Sequence, residues 1–72
     1  MDHVIDARGY DCPKPVIMTK KAVDSGINNL TTIVDNKSAL ENVSRFAKGQ
    51  GFEVMTEPKG GDYYIHIRQK GI

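Results

Sequence analysis

Cys12 is the only thiol in the 72-residue chain, and Pro13-Lys14-Pro15 follows it directly. Proline fits the first turn of a helix, because the N–H that it lacks would have no helical partner there. The apolar, helix-forming run 16–23 comes next, so the thiol is predicted at the start of a helix. The free N–H groups and the dipole of a helix N-terminus favour a negative charge and are one means of lowering a thiol pKa. This spacing predicts a partly ionised, reactive Cys12.

Charged residues stand on both sides of the thiol in the sequence. Arg8 and Lys14 would add positive potential at Cys12, whereas Asp11 would oppose it. Arg8 and Lys14 are therefore predicted as candidate contacts for a partner protein or for a group bound to the thiol.

The residues around the cysteine also predict how it is presented. Gly9 allows a backbone turn that other residues resist, and it stands in the loop before the thiol. Pro13 and Pro15 supply no N–H donors, so the helix start offers fewer amides to an anion than usual. Their predicted role is to fix the geometry between loop and helix and to keep the thiol exposed.

The first helix is predicted to run from Pro13 to about Ser25, with Asp11 or Cys12 as its N-cap residue. Its apolar face at helical spacing comprises Val16, Thr19, Ala22 and Val23, with Met18 at the edge. Ile17 falls off this face, one turn after the thiol. Ile17 and Met18 are therefore predicted to form a patch where a partner protein docks.

Short runs rich in β-branched residues alternate along the chain with apolar patterns of helical spacing, and together they predict the order β-α-β-α-β-β. The predicted strands are 3–7, 30–35, 52–57 and 63–68. The second helix begins at Asn36 or Ser38 and ends at Gly49 or Gly51. The Gly-rich turn 58–62 joins the last two strands into an antiparallel hairpin. We expect one α+β domain over residues 1–72, a two-layer sandwich with two helices on one face of a mixed four-stranded sheet.

Composition excludes several classes of function. Ten basic and nine acidic residues give a net charge of +1, which argues against a nucleic-acid partner. No apolar run approaches the ~18–20 residues that span a bilayer, so no membrane association is expected. The N-terminus lacks signal-peptide features, and a lone cysteine is typical of the reducing cytoplasm. One cysteine and two histidines make a poor metal site, so no metal is expected.

The run Asp6-Ala7-Arg8-Gly9-x-x-Cys12-Pro13-x-Pro15, followed by a Val/Met-rich helix, resembles the signature of the TusA/SirA-like sulfur carriers. The predicted element order agrees with that family over essentially the whole chain. Within the family, the chain is most similar to the N-terminal domain of YedF-type proteins, on the evidence of 34–36, 41–47 and Gln50-Gly51. YedF-type proteins usually carry a further C-terminal domain and are linked to selenium metabolism.

The resemblance implies that Cys12 carries sulfur, or selenium, in the form of a persulfide. The implied partners are a sulfur-donor protein, such as a cysteine desulfurase, and an acceptor protein. The chain would then be a sulfurtransferase-type carrier that needs no metal or organic cofactor, and not a self-contained enzyme. The alternative is a regulatory or protein-interaction domain with an inert cysteine, either a stand-alone member or a domain excised from a larger YedF-type protein. RNA binding is a third hypothesis, which the weak net charge disfavours.

Overall fold

A computed structural model describes residues 3–11 and 13–69 of the chain. The elements are β1 (His3–Asp6), α1 (Lys14–Asp24), β2 (Asn29–Val34), α2 (Lys37–Gly49), β3 (Phe52–Lys59) and β4 (Asp62–Gln69). The predicted order β-α-β-α-β-β is therefore confirmed, with element ends that differ from the prediction by at most two residues.

The four strands form one mixed sheet in the order β1-β2-β4-β3. β1 and β2 are parallel, because the chain crosses over between them through α1. β4 pairs antiparallel with β2 on one side and with β3 on the other. Both helices pack on one face, α1 against β2 and α2 against β3 and β4. The α+β sandwich with two helices on one face of a mixed sheet is thus confirmed.

The hydrophobic core lies between this sheet face and the helices. Its buried members are Ile5, Ala7, Ala22, Leu30, Val34, Ala39, Val43, Ala47, Ile65 and Ile67. Alternate residues of a strand point to opposite faces, which is why Ile65 and Ile67 are buried while their neighbour His66 faces away from the helices. Val4 and Met55 are 59% and 68% exposed, on the helix-free face.

The predicted apolar faces of the helices agree with the burial observed. Thr19 and Ala22 of α1 are buried, and Val16, Met18 and Val23 pack partly buried against the core. Pro15 is also fully buried, which the helical spacing did not predict. Of the two candidate caps for α2, the structure selects Asn36, whose side chain accepts a 2.8 Å hydrogen bond from the Ala39 N–H.

The final hairpin is tighter than the predicted turn 58–62. Both strands continue into that range, so only Gly60 and Gly61 remain in the loop. Their φ angles of 54° and 89° are both positive, as a two-residue turn that follows the twist of the strands requires. Pro58 is accommodated in β3 because β3 is an edge strand of this sheet.

Candidate functional site

The loop before α1 lies at the sheet edge where β1 and β2 end. Parallel strands bring their carboxyl ends to the same edge, so the loop after β1 lies beside Asp35 and Asn36, which follow β2. β4 runs antiparallel to β2, and Val34 pairs with Tyr63, which brings the start of β4 to that edge as well. Three carboxylates, Asp6, Asp35 and Asp62, therefore surround the loop.

Arg8 joins two of these carboxylates. Its guanidinium donates to both oxygens of Asp6, with Nε–Oδ1 at 2.9 Å and Nη2–Oδ2 at 2.8 Å. Its Nη1 donates to Oδ2 of Asp62 at 3.1 Å, across 54 positions in the sequence. Such forked contacts are geometrically specific as well as charge-assisted. Arg8 thus connects the end of β1 to the β3–β4 hairpin.

This pairing shifts the ionisation of both partners. Hydrogen bonds from the Arg8 side chain, and then from its backbone N–H, lower the pKa of Asp6 from 3.8 to about 2. The same contacts with Asp6, followed by those with Asp62, raise the pKa of Arg8. At neutral pH the cation at Arg8 is matched by two carboxylates, so little of its charge is free to act elsewhere.

We expect the Asp6→Asn variant to be less stable than the wild-type protein at pH 7, with a difference that shrinks as the pH falls. A carboxylate with a lowered folded-state pKa stabilises the fold above its unfolded-state pKa, here near 3.8, and this stabilisation is lost towards about pH 2. Urea denaturation of both proteins between pH 7 and pH 2 measures the difference. Asp24→Asn, which removes an exposed carboxylate paired with Lys20, is the control and should show little difference at any pH. An Asp6→Asn difference that is constant with pH would contradict the assignment.

Gly9 is held by the third carboxylate. Its N–H donates to Oδ2 of Asp35 at 2.9 Å, and the Nδ2 of Asn36 donates to the other oxygen at 3.1 Å. The Gly9 hydrogen bond, and after it the Asn36 bond, lowers the pKa of Asp35. Gly9 has a φ of 82°, in the left-handed region that glycine adopts without strain, which agrees with its predicted role as a turn residue.

The start of α1 differs from the prediction. Neither Asp11 nor Cys12 is the N-cap residue: the N-cap is Pro13, with φ −98° and ψ 19°, and no side chain caps the helix. The reason is a tight turn before the helix, in which the Lys14 N–H donates to the Asp11 carbonyl at 2.8 Å. The first helical bond then runs from the Ile17 N–H to the Pro13 carbonyl, at 3.1 Å. The helix begins one residue later than predicted.

A buried hydroxyl pair anchors the first turn of α1 to the sheet. Thr19 Oγ1 donates to the Pro15 carbonyl at 2.9 Å and lies 3.1 Å from Thr32 Oγ1. Since a hydroxyl has one proton, and Thr19 gives its proton to Pro15, Thr32 donates to Thr19. Both threonines are 0% exposed. Pro15 is therefore fixed by its own burial and by the hydrogen bond that its carbonyl accepts from Thr19.

We expect Thr19→Val to be more destabilising than Thr32→Val. Removing Thr19 takes away the acceptor for a buried hydroxyl, at a cost of roughly 1–3 kcal/mol, whereas removing Thr32 leaves the Thr19 proton bonded and costs about 1 kcal/mol. The double variant should lose less than the sum, because it leaves neither hydroxyl unpaired. Chemical denaturation of the three variants measures these differences. Equal costs for the two single variants would contradict the assigned direction of donation.

The predicted contact residues form the exposed side of this region. Lys14 Nζ lies over the ring of Tyr10, 5.7 Å from its centroid. Tyr10 is 46% exposed and Ile17 43%, in agreement with the prediction that Ile17 lies off the core face. Met18 is half-buried, with part of its side chain against the core. Two partly exposed apolar groups and a lysine thus lie beside the start of α1.

Cys12 lies outside the residues that the structure describes, so its chemical role stays a prediction. Its neighbours on both sides are described and held: Arg8 and Gly9 by carboxylates, and Pro13 and Pro15 by the first turn of α1. The described segments on the two sides of Cys12 are therefore each fixed to the rest of the domain. In the described part of the chain, no three His, Asp or Glu side chains are grouped to hold a metal ion.

The three carboxylates were not among the predicted site residues. Asp6 was named only within the motif, and Asp35 and Asp62 were not singled out. A signal for Asp35 was present, because both strands predicted around the first helix end near an aspartate. Asp62 carried no such signal, since its approach to Arg8 depends on the order of strands in the sheet.

The helices in the described ranges are all too short or too polar to cross a membrane.

The chain is similar to known proteins over nearly its whole length. A family model described as "Sulfurtransferase TusA" matches residues 3–69. The chain is 33% identical to YrkI of Bacillus subtilis, which is named as a candidate sulfur carrier protein, over 97% of this chain and 96% of the relative. It is 28% identical to the sulfur carrier protein TusA of Allochromatium vinosum, over 94% and 93% of the two chains.

A solved structure gives the same result for the fold. The chain is similar to the crystal structure of a SirA-like protein from Desulfitobacterium hafniense, with a TM-score of 0.80 and 35% sequence identity. The match covers 89% of this chain and 92% of the other.

Proposed function

Because the chain belongs to the TusA family of sulfurtransferases, we propose that it is a sulfur carrier that holds sulfur on Cys12 as a persulfide. The observation that carries this proposal is that the structure fixes the two segments between which Cys12 stands in the sequence. The loop on one side is tied by Arg8 and Gly9, and the proline-bounded helix start is on the other. The chain's similarity to proteins named as sulfur carriers supports the same conclusion.

The chemistry is an exchange of one sulfur atom between two thiols. The Cys12 thiolate attacks the terminal sulfur of a cysteine persulfide on a donor protein, such as a cysteine desulfurase. A bond forms between Cys12 Sγ and that sulfur, and the donor S–S bond breaks with its electron pair leaving on the donor cysteine as a thiolate. The terminal sulfur keeps its proton, so charge is conserved and there is no net oxidation or reduction.

Delivery repeats the same step in the other direction. A thiolate of the acceptor protein attacks the terminal sulfur on Cys12, and the Cys12 thiolate leaves. Neither step needs a cofactor or a separate general base once the attacking thiol is ionised, which supports a carrier over a self-contained enzyme. Selenium could follow the same route, because a perselenide undergoes the same displacement.

Of the two cations predicted to assist, Lys14 suits this role better. Arg8 is already paired with Asp6 and Asp62, so its role is to hold the loop. Lys14 contacts the Tyr10 ring and, among the described ion pairs, has no carboxylate partner, so its charge can support a thiolate or an incoming acidic group. The partly exposed Tyr10 and Ile17, with the edge of Met18, provide the apolar contact for donor and acceptor proteins.

Intact-mass spectrometry tests this function. The purified chain is incubated with a cysteine desulfurase and cysteine, and its mass is measured without reductant. We expect a gain of one sulfur atom, and none when cysteine is omitted. No gain with an active desulfurase would contradict the carrier function and favour the alternative of an interaction domain with an inert cysteine.

As a further part of the proposal, the carrier is one domain over 1–72 and works in the reducing cytoplasm, where its thiol stays free.

A further inference from the structure

We infer that Asp35 is a positioning residue, whose carboxylate tethers the loop before Cys12 to α2 and thereby sets the rate of sulfur transfer; this inference rests on the proposed function. Neither the family motif around the thiol nor the chemistry of the exchange includes Asp35. It enters the site from the end of β2, 26 positions beyond the glycine that it holds.

The tether is a continuous series of hydrogen bonds. The Gly9 N–H donates to Asp35 Oδ2 at 2.9 Å, and Asn36 Nδ2 donates to Asp35 Oδ1 at 3.1 Å. Asn36 Oδ1 in turn accepts the Ala39 N–H at 2.8 Å, which caps α2. Ala39 is 0% exposed, so the far end of the series lies in the packed core. These hydrogen bonds thus connect the loop before Cys12 to the packed helix α2.

The Gly9 contact joins the main chain of the loop to a distant part of the sequence, which distinguishes it from the contacts of Arg8. The Arg8 main-chain N–H donates only to Asp6, two residues away, and Arg8 reaches Asp62 through its long side chain. Asp35 instead fixes the peptide group of Gly9 itself, three residues before Cys12. Gly9 has a left-handed backbone conformation. A glycine without this hydrogen bond would populate many other conformations as well. A hydrogen bond to an ionised acceptor selects one of these conformations. The lowered pKa of Asp35 agrees with an acceptor that is ionised at neutral pH.

Positioning matters more for one kind of reaction than for another. Transfer between two proteins needs the attacking sulfur aligned with a persulfide held on the partner protein, and misplacement by about 1 Å can cost up to 10²-fold in rate. Reaction with a small alkylating reagent needs only an exposed thiolate, because the reagent itself can reorient. Loss of the tether should therefore slow protein-to-protein transfer while leaving alkylation nearly unchanged.

Three variants test this difference. Asp35→Ala removes the acceptor, Asp35→Asn keeps one oxygen that can accept the Gly9 N–H, and Asp24→Ala removes an exposed carboxylate far from the loop in sequence. We measure single-turnover sulfur transfer from a persulfide-loaded desulfurase at saturating concentration, and iodoacetamide alkylation of Cys12. Asp35→Ala is expected to transfer about tenfold more slowly, a typical effect for one charge-assisted hydrogen bond, with alkylation within about twofold of wild type. Asp35→Asn should recover most of the rate, and Asp24→Ala should match wild type.

A spectroscopic measurement tests the tether without sulfur transfer. In the wild-type protein the Gly9 amide proton shift should follow the ionisation of Asp35 as the pH is lowered, and in Asp35→Asn this titration should vanish. Wild-type transfer by Asp35→Ala, equal losses of transfer and alkylation, or a Gly9 amide that does not titrate would each overturn the inference. If Asp35→Ala does not fold, Asp35→Asn and the Gly9 titration decide. A wild-type chain that takes no sulfur while Gly9 titrates overturns the proposed function and the claim about rate, but leaves the tether established.

Discussion

The Cys12→Ser variant is expected to take no sulfur from a cysteine desulfurase under conditions that load the wild-type chain fully. The thiolate is the nucleophile in persulfide exchange, and a serine hydroxyl is neither ionised at neutral pH nor able to form a stable bond to the transferred sulfur. Because Cys12 is the only cysteine, no other thiol can substitute for it. Intact-mass spectrometry of both proteins, after the same incubation, measures the difference.

A relocated thiol makes this test specific to the motif. Ser38 is exposed in the first turn of α2, so the double variant Cys12→Ser/Ser38→Cys places one thiol near another helix N-terminus. This thiol has the helix-dipole environment that was predicted for Cys12, but it lacks the loop, the prolines and the surface of Tyr10 and Ile17. We expect its rate of loading to be at most about a tenth of the wild-type rate, because proximity and orientation are lost. Loading at the wild-type rate would show that any exposed thiol suffices, and Cys12→Ser loading would contradict the assignment of Cys12.

The Ile67→Ala variant is expected to lose about 2–5 kcal/mol of unfolding free energy, the range for deleting a fully buried aliphatic side chain. Ile67 is 0% exposed on the central strand β4, between Leu30 of β2 and Val54 of β3. A domain of this size has a total stability of roughly 4–11 kcal/mol, so the loss is a large fraction of it. Thermal and urea unfolding, followed by circular dichroism, should show a midpoint lower by about 10 °C or more.

Met55→Ala is the matched control for Ile67→Ala. Met55 lies on the neighbouring strand, but on the helix-free face, where it is 68% exposed. Its substitution should change the unfolding free energy by less than about 0.5 kcal/mol. A similar loss from both variants would mean that the helix-free face is packed against something in solution, and would contradict the placement of the core on the helix side alone.

Much of the fold follows from local patterns in the sequence. Tyr63, Ile65 and Ile67 alternate with Tyr64, His66 and Arg68, a pattern that indicates a strand with two different faces, because side chains of a strand alternate between the faces. The spacing of Ala39, Val43 and Ala47 indicates one apolar face of a helix in the same way, and all three are 0% exposed in α2. These features depend on residues close in sequence, so a pattern can reveal them.

The interactions that hold the candidate site depend on residues far apart in the chain. Arg8 meets Asp62 only because β4 lies next to β2, and no periodicity encodes that order of strands. The burial of Pro15 was missed because its place in the first helical turn masked its contact with the core. The N-cap was predicted wrongly for a similar reason: side-chain preference favoured Asp11, but the backbone turn from Asp11 to Lys14 decides where the helix begins.

The measurement that tests the central proposal most directly locates the sulfur atom on the loaded chain. The protein is loaded by a desulfurase, alkylated with iodoacetamide without reductant, digested, and analysed by tandem mass spectrometry. If Cys12 carries a persulfide, the peptide containing Cys12 will hold one additional sulfur between Sγ and the alkyl group, and dithiothreitol will remove both. A Cys12 alkylated without the additional sulfur, or sulfur found on any other residue of the chain, would contradict the proposal.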